Sequence, residues 1–144
     1  MNMTWVGDKI AFRAHTRRID GAAVVESLKR AGIRLVVNVA RQPHDDLQYL
    51  CGKNDILYVH EEFPDGRIMD FKKIEALLNM IGLAMGSGNV LVHCEGGHNR
   101  SAMLAIMAEA RRSQRSAGQL LDESRQKKHR VVENPYFEKW MRSL

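Results

Sequence analysis

Between Asp70 and Met85 the apolar residues Phe71, Ile74, Leu77, Leu78, Ile81 and Met85 recur at steps of three and four, the period of a helix with one face in a core. Asp70 stands where that helix needs an N-cap. Shorter, denser apolar runs alternate with such segments. Ile33 to Val39 and Ile56 to Val59 read as hydrophobic strands, as does Asn89-Val90-Leu91-Val92 after Gly86-Ser87-Gly88. Thr4–Val6 and Ile10–Arg13 read as short edge strands. Asp20 caps a helix through Ala31 closed by Gly32, and Ala102 to Arg112 has helix-forming composition without Gly or Pro. Ser116 caps a further helix to about Lys128. Asn134-Pro135 opens a last one that buries Phe137, Trp140 and Met141. Strands alternating with helices predict an α/β fold: a three-layer domain with a central, largely parallel sheet flanked by helices, with ligands at the carboxyl ends of the strands.

Length and composition narrow this further. At 144 residues, 44% hydrophobic and 27% charged, the chain suits one globular domain over residues 1–144. The Ile74 to Met85 segment is broken by Asn79 and Gly82, so no stretch is apolar enough for a membrane span. Cys51 and Cys94 do not form a disulfide framework, and no apolar N-terminal signal is evident, so a reducing compartment is expected: cytoplasmic, with the nucleus as an alternative. The net charge of +5 and pI near 9.5 suit phosphorylated partners, and equally RNA. Arg111, Arg112, Arg115, Arg125, Lys127, Lys128 and Arg130 gather in the C-terminal third, without interleaved aromatics that would stack on bases.

The run His93-Cys94-Glu95-Gly96-Gly97-His98-Asn99-Arg100-Ser101 bears most on function. It joins the Val90 strand to the Ala102 helix. A loop there turns backbone N–H groups inward at a helix N-terminus, where unpaired donors and the helix dipole attract an anion, whether a phosphate or a thiolate. Arg100 can grip two phosphate oxygens bidentately, which lysine cannot. Gly96 and Gly97 let the backbone approach a ligand closely. A buried structural cysteine would not require Arg100 at this spacing. Zinc ligation by His93, Cys94 and His98 is disfavoured, because adjacent His and Cys do not easily face one ion and no further ligand pair is evident. No metal and no cofactor is implied, since Arg100 and the loop N–H groups already supply the neutralising charge.

This run resembles the signature His-Cys-five residues-Arg-Ser/Thr of the cysteine-dependent protein tyrosine phosphatase superfamily, and specifically its small, atypical dual-specificity branch. The comparable rhodanese-type loop is one residue shorter. Leu28 to Val39 is similar to that branch's helix, turn and central strand, and Val131 to Phe137 to its final asparagine-capped helix. The resemblance implies a phosphatase in which Cys94 is the nucleophile and a phosphocysteine is the intermediate. Arg100 and the backbone of Glu95, Gly96, Gly97, His98 and Asn99 would bind phosphate. Ser101 would hydrogen-bond the Cys94 thiolate or cap the helix, and His93 would orient the loop. A leaving alkoxide needs a proton, and Asp65 in Glu62-Phe63-Pro64-Asp65-Gly66-Arg67 is similar to the family's acid. Asp70 is the alternative, although its place suits a helix cap.

The short chain leaves no room for the segments that deepen tyrosine-specific clefts, so phosphotyrosine and phosphoserine/phosphothreonine proteins are the expected substrates of a monomer. RNA 5′-end or nucleotide hydrolysis, or a non-catalytic phosphate-binding module, are the alternatives. Glu95 disfavours a polyanionic lipid head group. Arg41 is expected on the rim of the loop, solvated or facing a second acidic group of the substrate. Cys51 could form a protective disulfide with Cys94 under oxidation, but Cys51-Gly52 reads as a helix-terminus turn.

Overall fold

The structure is a computed structural model that describes residues 1–14, 19–43, 45–96 and 99–144. Its elements are β1 (Thr4–Val6), β2 (Ile10–Arg13), α1 (Gly21–Arg30), β3 (Ile33–Asn38), α2 (Asp45–Lys53), β4 (Leu57–His60), α3 (Phe71–Ala84), β5 (Asn89–His93), α4 (Arg100–Ser113), α5 (Ala117–Lys127) and α6 (Pro135–Arg142). The strands form one sheet in the order β1-β2-β5-β3-β4. The β1–β2 pair is antiparallel and the other three pairings are parallel, as the alternation of strands and helices requires.

Alternate residues of β5 enter different cores. Val90 and Val92 belong to the core that also takes in residues of α3, α4, α5 and α6, whereas Leu91 belongs to the one that takes in residues of α1 and α2. The three-layer α/β arrangement follows, since a sheet with both faces covered leaves little polar surface on its central strands. Helix α4 is the centre of the larger core. Every residue from Ser101 to Ala110 is buried, and Ala102, Ala105 and Ala108 keep it thin enough to lie close to the sheet.

Three details depart from the sequence expectation. Helix α2 is not among the elements the sequence predicts; along it only Leu47 and Cys51 are fully buried among the described residues, Leu50 is half-buried, Tyr49 is exposed and Gly52 sits in the last turn, so its apolar stripe is faint. Phe71 is 49% exposed and does not join the core with the rest of its helical stripe. It meets the half-buried Trp140 edge-on at 5.5 Å, which links α3 to α6 outside the core. Helix α4 starts at Arg100, two residues before the expected Ala102. That difference matters, because it puts Arg100 and Ser101 in the first turn.

At the carboxyl end of β3 the buried Asn38 fixes the chain reversal. Its Oδ1 accepts from Ala40 N at 2.9 Å, while Nδ2 donates to Gln42 O and to Tyr58 Oη, both at 3.0 Å. His60 Nε2 meets Ala40 O at 2.7 Å. Residues 38–42 are thereby tied to β4, which sets the position of Arg41.

Candidate active site

Strand β5 delivers Cys94 to the carboxyl edge of the sheet, between β2 and β3. The Cys94 N–H donates to Ala14 O at 3.0 Å, and the side chain is fully buried. Its Sγ lies 3.2 Å from Ser101 Oγ and 3.7 Å from Gly96 O. Ser101 Oγ also donates to Arg13 O at 3.1 Å. A hydroxyl has one proton to give. In the thiol form that proton satisfies Arg13 O and the S–H can turn to Gly96 O; once a thiolate forms, rotation of the hydroxyl brings its proton to sulfur. Ser101 does not cap α4, because the N-cap position belongs to Asn99.

Arg100 joins three parts of the site. Its Nη1 donates to Val39 O at 3.3 Å and Phe63 O at 3.2 Å, which uses both hydrogens on that nitrogen. Nε is buried with no partner, and Nη2 makes no hydrogen bond among the described residues. The free Nε–Nη2 edge is the one a guanidinium presents to two oxygens of a phosphate.

Asp65 stands across the cleft, held on both carboxylate oxygens. Asn99 Nδ2 donates to Oδ2 at 3.0 Å, and Asn134 Nδ2 donates to Oδ1 at 2.9 Å and to Gly66 O at 3.1 Å. The loop is anchored two residues earlier, where buried Phe63 packs edge-on against Phe137 of α6 at 6.4 Å. Asp70 lies outside this arrangement: its Oδ1 accepts from Lys73 N at 3.1 Å and caps α3.

The cleft between these groups has a volume of about 380 Å³ and is lined by Arg41, Glu62, Phe63, Pro64, Asp65, Lys73, Glu95 and Arg100. Lys73 is committed, donating to Glu62 O at 2.7 Å and pairing with Glu61 at 3.3 Å. Arg41 is exposed on the rim, as expected from its place after β3. Larger surface hollows, of about 530 Å³ between α5 and Arg142, about 520 Å³ between α3 and α4 and about 500 Å³ beside β4 and α3, contain none of the signature residues. Chemistry and not volume identifies the site.

Of the other residues singled out from the sequence, His93 is buried at the end of β5, Glu95 is half-buried and Gly96 is exposed. Gly97 and His98 lie outside the described residues. The Asn99 side chain is turned to Asp65 and away from a phosphate position, so any contribution to phosphate binding is through its backbone. A Cys51–Cys94 disulfide does not fit the fold. The two thiols sit in the separate cores on either side of the sheet, and burial pushes the Cys51 thiol up to about 11. The basic residues of the C-terminal third are largely spoken for: Arg111 pairs with Glu75, Arg112 with Glu109 and Asp8, Arg115 with Glu123, Arg125 with Glu138 and Arg130 with Glu133. No helix among the described residues is long and apolar enough to cross a membrane.

Sequence reasoning missed the two asparagines that grip Asp65. The Asn-Pro cap signal located Asn134 but spoke only for its Oδ1, which accepts from Tyr136 N and Phe137 N at 2.9 and 3.3 Å. Nothing local indicated that its Nδ2 faces a loop almost seventy residues earlier.

The dual specificity phosphatase catalytic domain matches the chain over residues 20–144. No curated protein matches it. Among solved structures, a putative protein tyrosine phosphatase from Leishmania major superposes with a TM-score of 0.84 at 17% identity, covering 100% of this chain and 99% of that one. Human DUSP28 gives 0.78 at 21% identity, covering 98% and 90%. A mouse putative dual specificity phosphatase gives 0.79 at 23% identity, covering 98% and 84%. With the match over residues 20–144, the chain belongs to the dual specificity phosphatase family. It is a cysteine-dependent phosphatase acting on phosphorylated substrates.

Proposed function

We propose that the protein hydrolyses phosphate monoesters of both phosphotyrosine and phosphoserine/phosphothreonine proteins through a phosphocysteine formed on Cys94, within a single domain. One observation carries the reading: Cys94 Sγ lies 3.2 Å from the Ser101 hydroxyl inside a loop that ends on Arg100, with Asp65 across the same cleft.

In the first step the Cys94 thiolate forms a bond to phosphorus as the ester P–O bond breaks. The leaving oxygen takes the proton of the Asp65 carboxyl group. The Nε–Nη2 edge of Arg100 and the loop N–H groups hold the non-bridging oxygens, whose charge is concentrated as the phosphoryl group transfers. In the second step a water attacks phosphorus and gives its proton to the Asp65 carboxylate. The S–P bond breaks, inorganic phosphate forms, and the Ser101 hydroxyl turns to the departing thiolate.

The breadth of substrate rests on the cleft. Its walls are the loops after β3, β4 and β5 together with the first turns of α3 and α4, and its volume is about 380 Å³; no long segment inserted between these elements deepens it, so a short aliphatic phosphoester is expected to be accepted as well as an aryl one. Glu62 and Glu95 on that wall oppose a polyanionic lipid head group. The test is a substrate panel of phosphotyrosine and phosphothreonine peptides, a phosphoinositide and 5′-triphosphate RNA, run on the wild type and on Cys94→Ser. Both phosphopeptides should turn over in the wild type. The serine variant should fall below about a thousandth of that rate while still binding vanadate, because its hydroxyl is not ionised near neutral pH. Preferential hydrolysis of the RNA would replace this reading with the nucleic-acid one.

A further inference from the structure

The side chain of Asn99 serves neither the nucleophile nor its own helix. Asparagine is among the best N-cap residues, yet at the N-cap of α4 it makes no side-chain cap hydrogen bond. Its Oδ1 instead accepts from the backbone N–H groups of Glu133 and Asn134 at 2.6 and 3.2 Å, and its Nδ2 donates to Asp65 Oδ2 at 3.0 Å. The orientation of the amide is fixed by this set. Two backbone N–H groups require an acceptor, so the oxygen must face them, and the remaining donor must then face the carboxylate.

The segment that receives Asn99 is itself held in an unfavourable backbone conformation. Arg130 and Val132 have φ of 63° and 55°, and a β-branched residue in the left-handed region is a genuine outlier. Val132 is nonetheless fully buried. The strained turn precedes the two N–H groups that meet Asn99 Oδ1, and it leads into Asn134, whose own Nδ2 holds the other oxygen of Asp65. Strain of this kind persists where the surrounding contacts over-determine it, and it gathers at functional sites.

We infer that Asn99 is a positioning residue for the general acid: it ties the phosphate loop to Asp65 and to the turn before α6, so that the carboxyl group is held at the leaving-group side of the cleft when the loop is formed. The inference rests on the assignment of Asp65 as the acid. It assigns Asn99 no contact with the transferred phosphoryl group through its side chain.

The experiment compares phenyl phosphate, whose leaving group needs a proton, with 2,4-dinitrophenyl phosphate, whose leaving group does not. Asn99→Ala should lower kcat/KM, which ends at phosphorylation of Cys94 and leaves out the shared hydrolysis step, by about 10- to 100-fold on the phenyl ester, the worth of one hydrogen bond to a charged group. On the dinitrophenyl ester it should lose no more than about threefold, and vanadate inhibition should stay within about twofold, since the loop N–H groups remain. In an Asp65→Asn background, Asn99→Ala should cause no further loss on either ester. Asn99→Asp keeps the size and the acceptor for residues 133 and 134 but removes the donor and sets a second carboxylate against Asp65. It should therefore lose as much on the phenyl ester as the alanine variant even if the latter folds poorly. Equal losses on the two esters, or an additive loss in the Asp65→Asn background, would overturn the inference and make Asn99 a loop scaffold. Asp65→Asn alone decides the assignment beneath it: an unselective loss there removes the acid, whatever Asn99 does.

Discussion

Replacing Arg100 by Lys preserves the charge and removes the fork, so it isolates geometry. Nη1 is occupied by Val39 O and Phe63 O at 3.3 and 3.2 Å, and the Nε–Nη2 edge is left for the phosphoryl oxygens. An ammonium has three hydrogens on one atom and no second edge. It can follow the carbonyls or the phosphate, and not both in the arginine arrangement. At about 1.5–3 kcal/mol for each charge-assisted hydrogen bond, losing one of the two bonds to the transferring group, together with part of its alignment, amounts to about 2–4 kcal/mol. That corresponds to a fall in kcat of about 30- to 1,000-fold. Vanadate should bind more weakly by a similar factor, because its oxygens use the same edge. The carbonyls of residues 39 and 63 also lose a donor, and stability measured by denaturant unfolding should drop by about 1–2 kcal/mol. Phe63 is two residues from Asp65, so a displaced acid would add to the loss; that part should appear as a larger deficit on phenyl than on dinitrophenyl phosphate. A Lys variant with kcat within about threefold of wild type would refute the argument that the free guanidinium edge matters.

Asp65→Asn should slow phenyl phosphate by about 10²- to 10⁴-fold and flatten the alkaline limb of kcat/KM, while Asp70→Asn keeps both properties because asparagine still caps α3; the reverse pattern would move the acid to Asp70. Ser101→Ala should slow thiolate departure more than phosphorylation, so rapid-quench measurements should find phosphoenzyme accumulating with a burst of released phenol, and an unchanged steady-state level of phosphoenzyme would count against the hydroxyl's role. The Arg125 guanidinium, then that of Arg142, holds the Glu138 carboxyl down to about 2 from an ordinary 4.5. A depressed carboxyl stabilises the fold above its unfolded value and loses that contribution as the pH falls from about 4.5 toward 2. Glu138→Gln should therefore lower stability near neutrality and flatten the acid side of Tm against pH in that window; an unchanged acid slope would show that the exposed network is screened away.

What could be read from the chain was local. The strand, loop and helix of residues 89–113 are contiguous, so the burial of β5, the turn and the start of α4 follow from neighbouring residues, and Cys94 and Arg100 came with them. The capping aspartate of α3 was legible for the same reason. Helix α2 was not, because few of its residues point inward and Gly52 weakens its end. Asp65 is proposed as the acid only through a family resemblance, since Pro-Asp-Gly is an ordinary turn sequence in its own right. The contacts that hold it are non-local: Asn99 and Asn134 stand 34 and 69 residues away along the chain. No period or motif encodes a pairing that exists only after α6 has docked on α4.

That docking carries a mechanical consequence. Asn99 and Arg100 are consecutive, and each holds a different residue of the acid loop, one the Asp65 carboxylate and the other the Phe63 carbonyl. Swinging the acid loop out would break both, together with the two bonds from Asn134 to Asp65 and Gly66, and would pull Phe63 off Phe137. Arg100 can keep its grip on Phe63 O while binding phosphate, because the two tasks use different nitrogens. Phosphate binding and closure of the acid loop therefore do not compete for the same donors. On the proposed assignment of Asp65 as the acid, the same two consecutive residues that end the phosphate loop hold that carboxyl group at the cleft, so the energy of binding a phosphoryl group need not be used to bring it there.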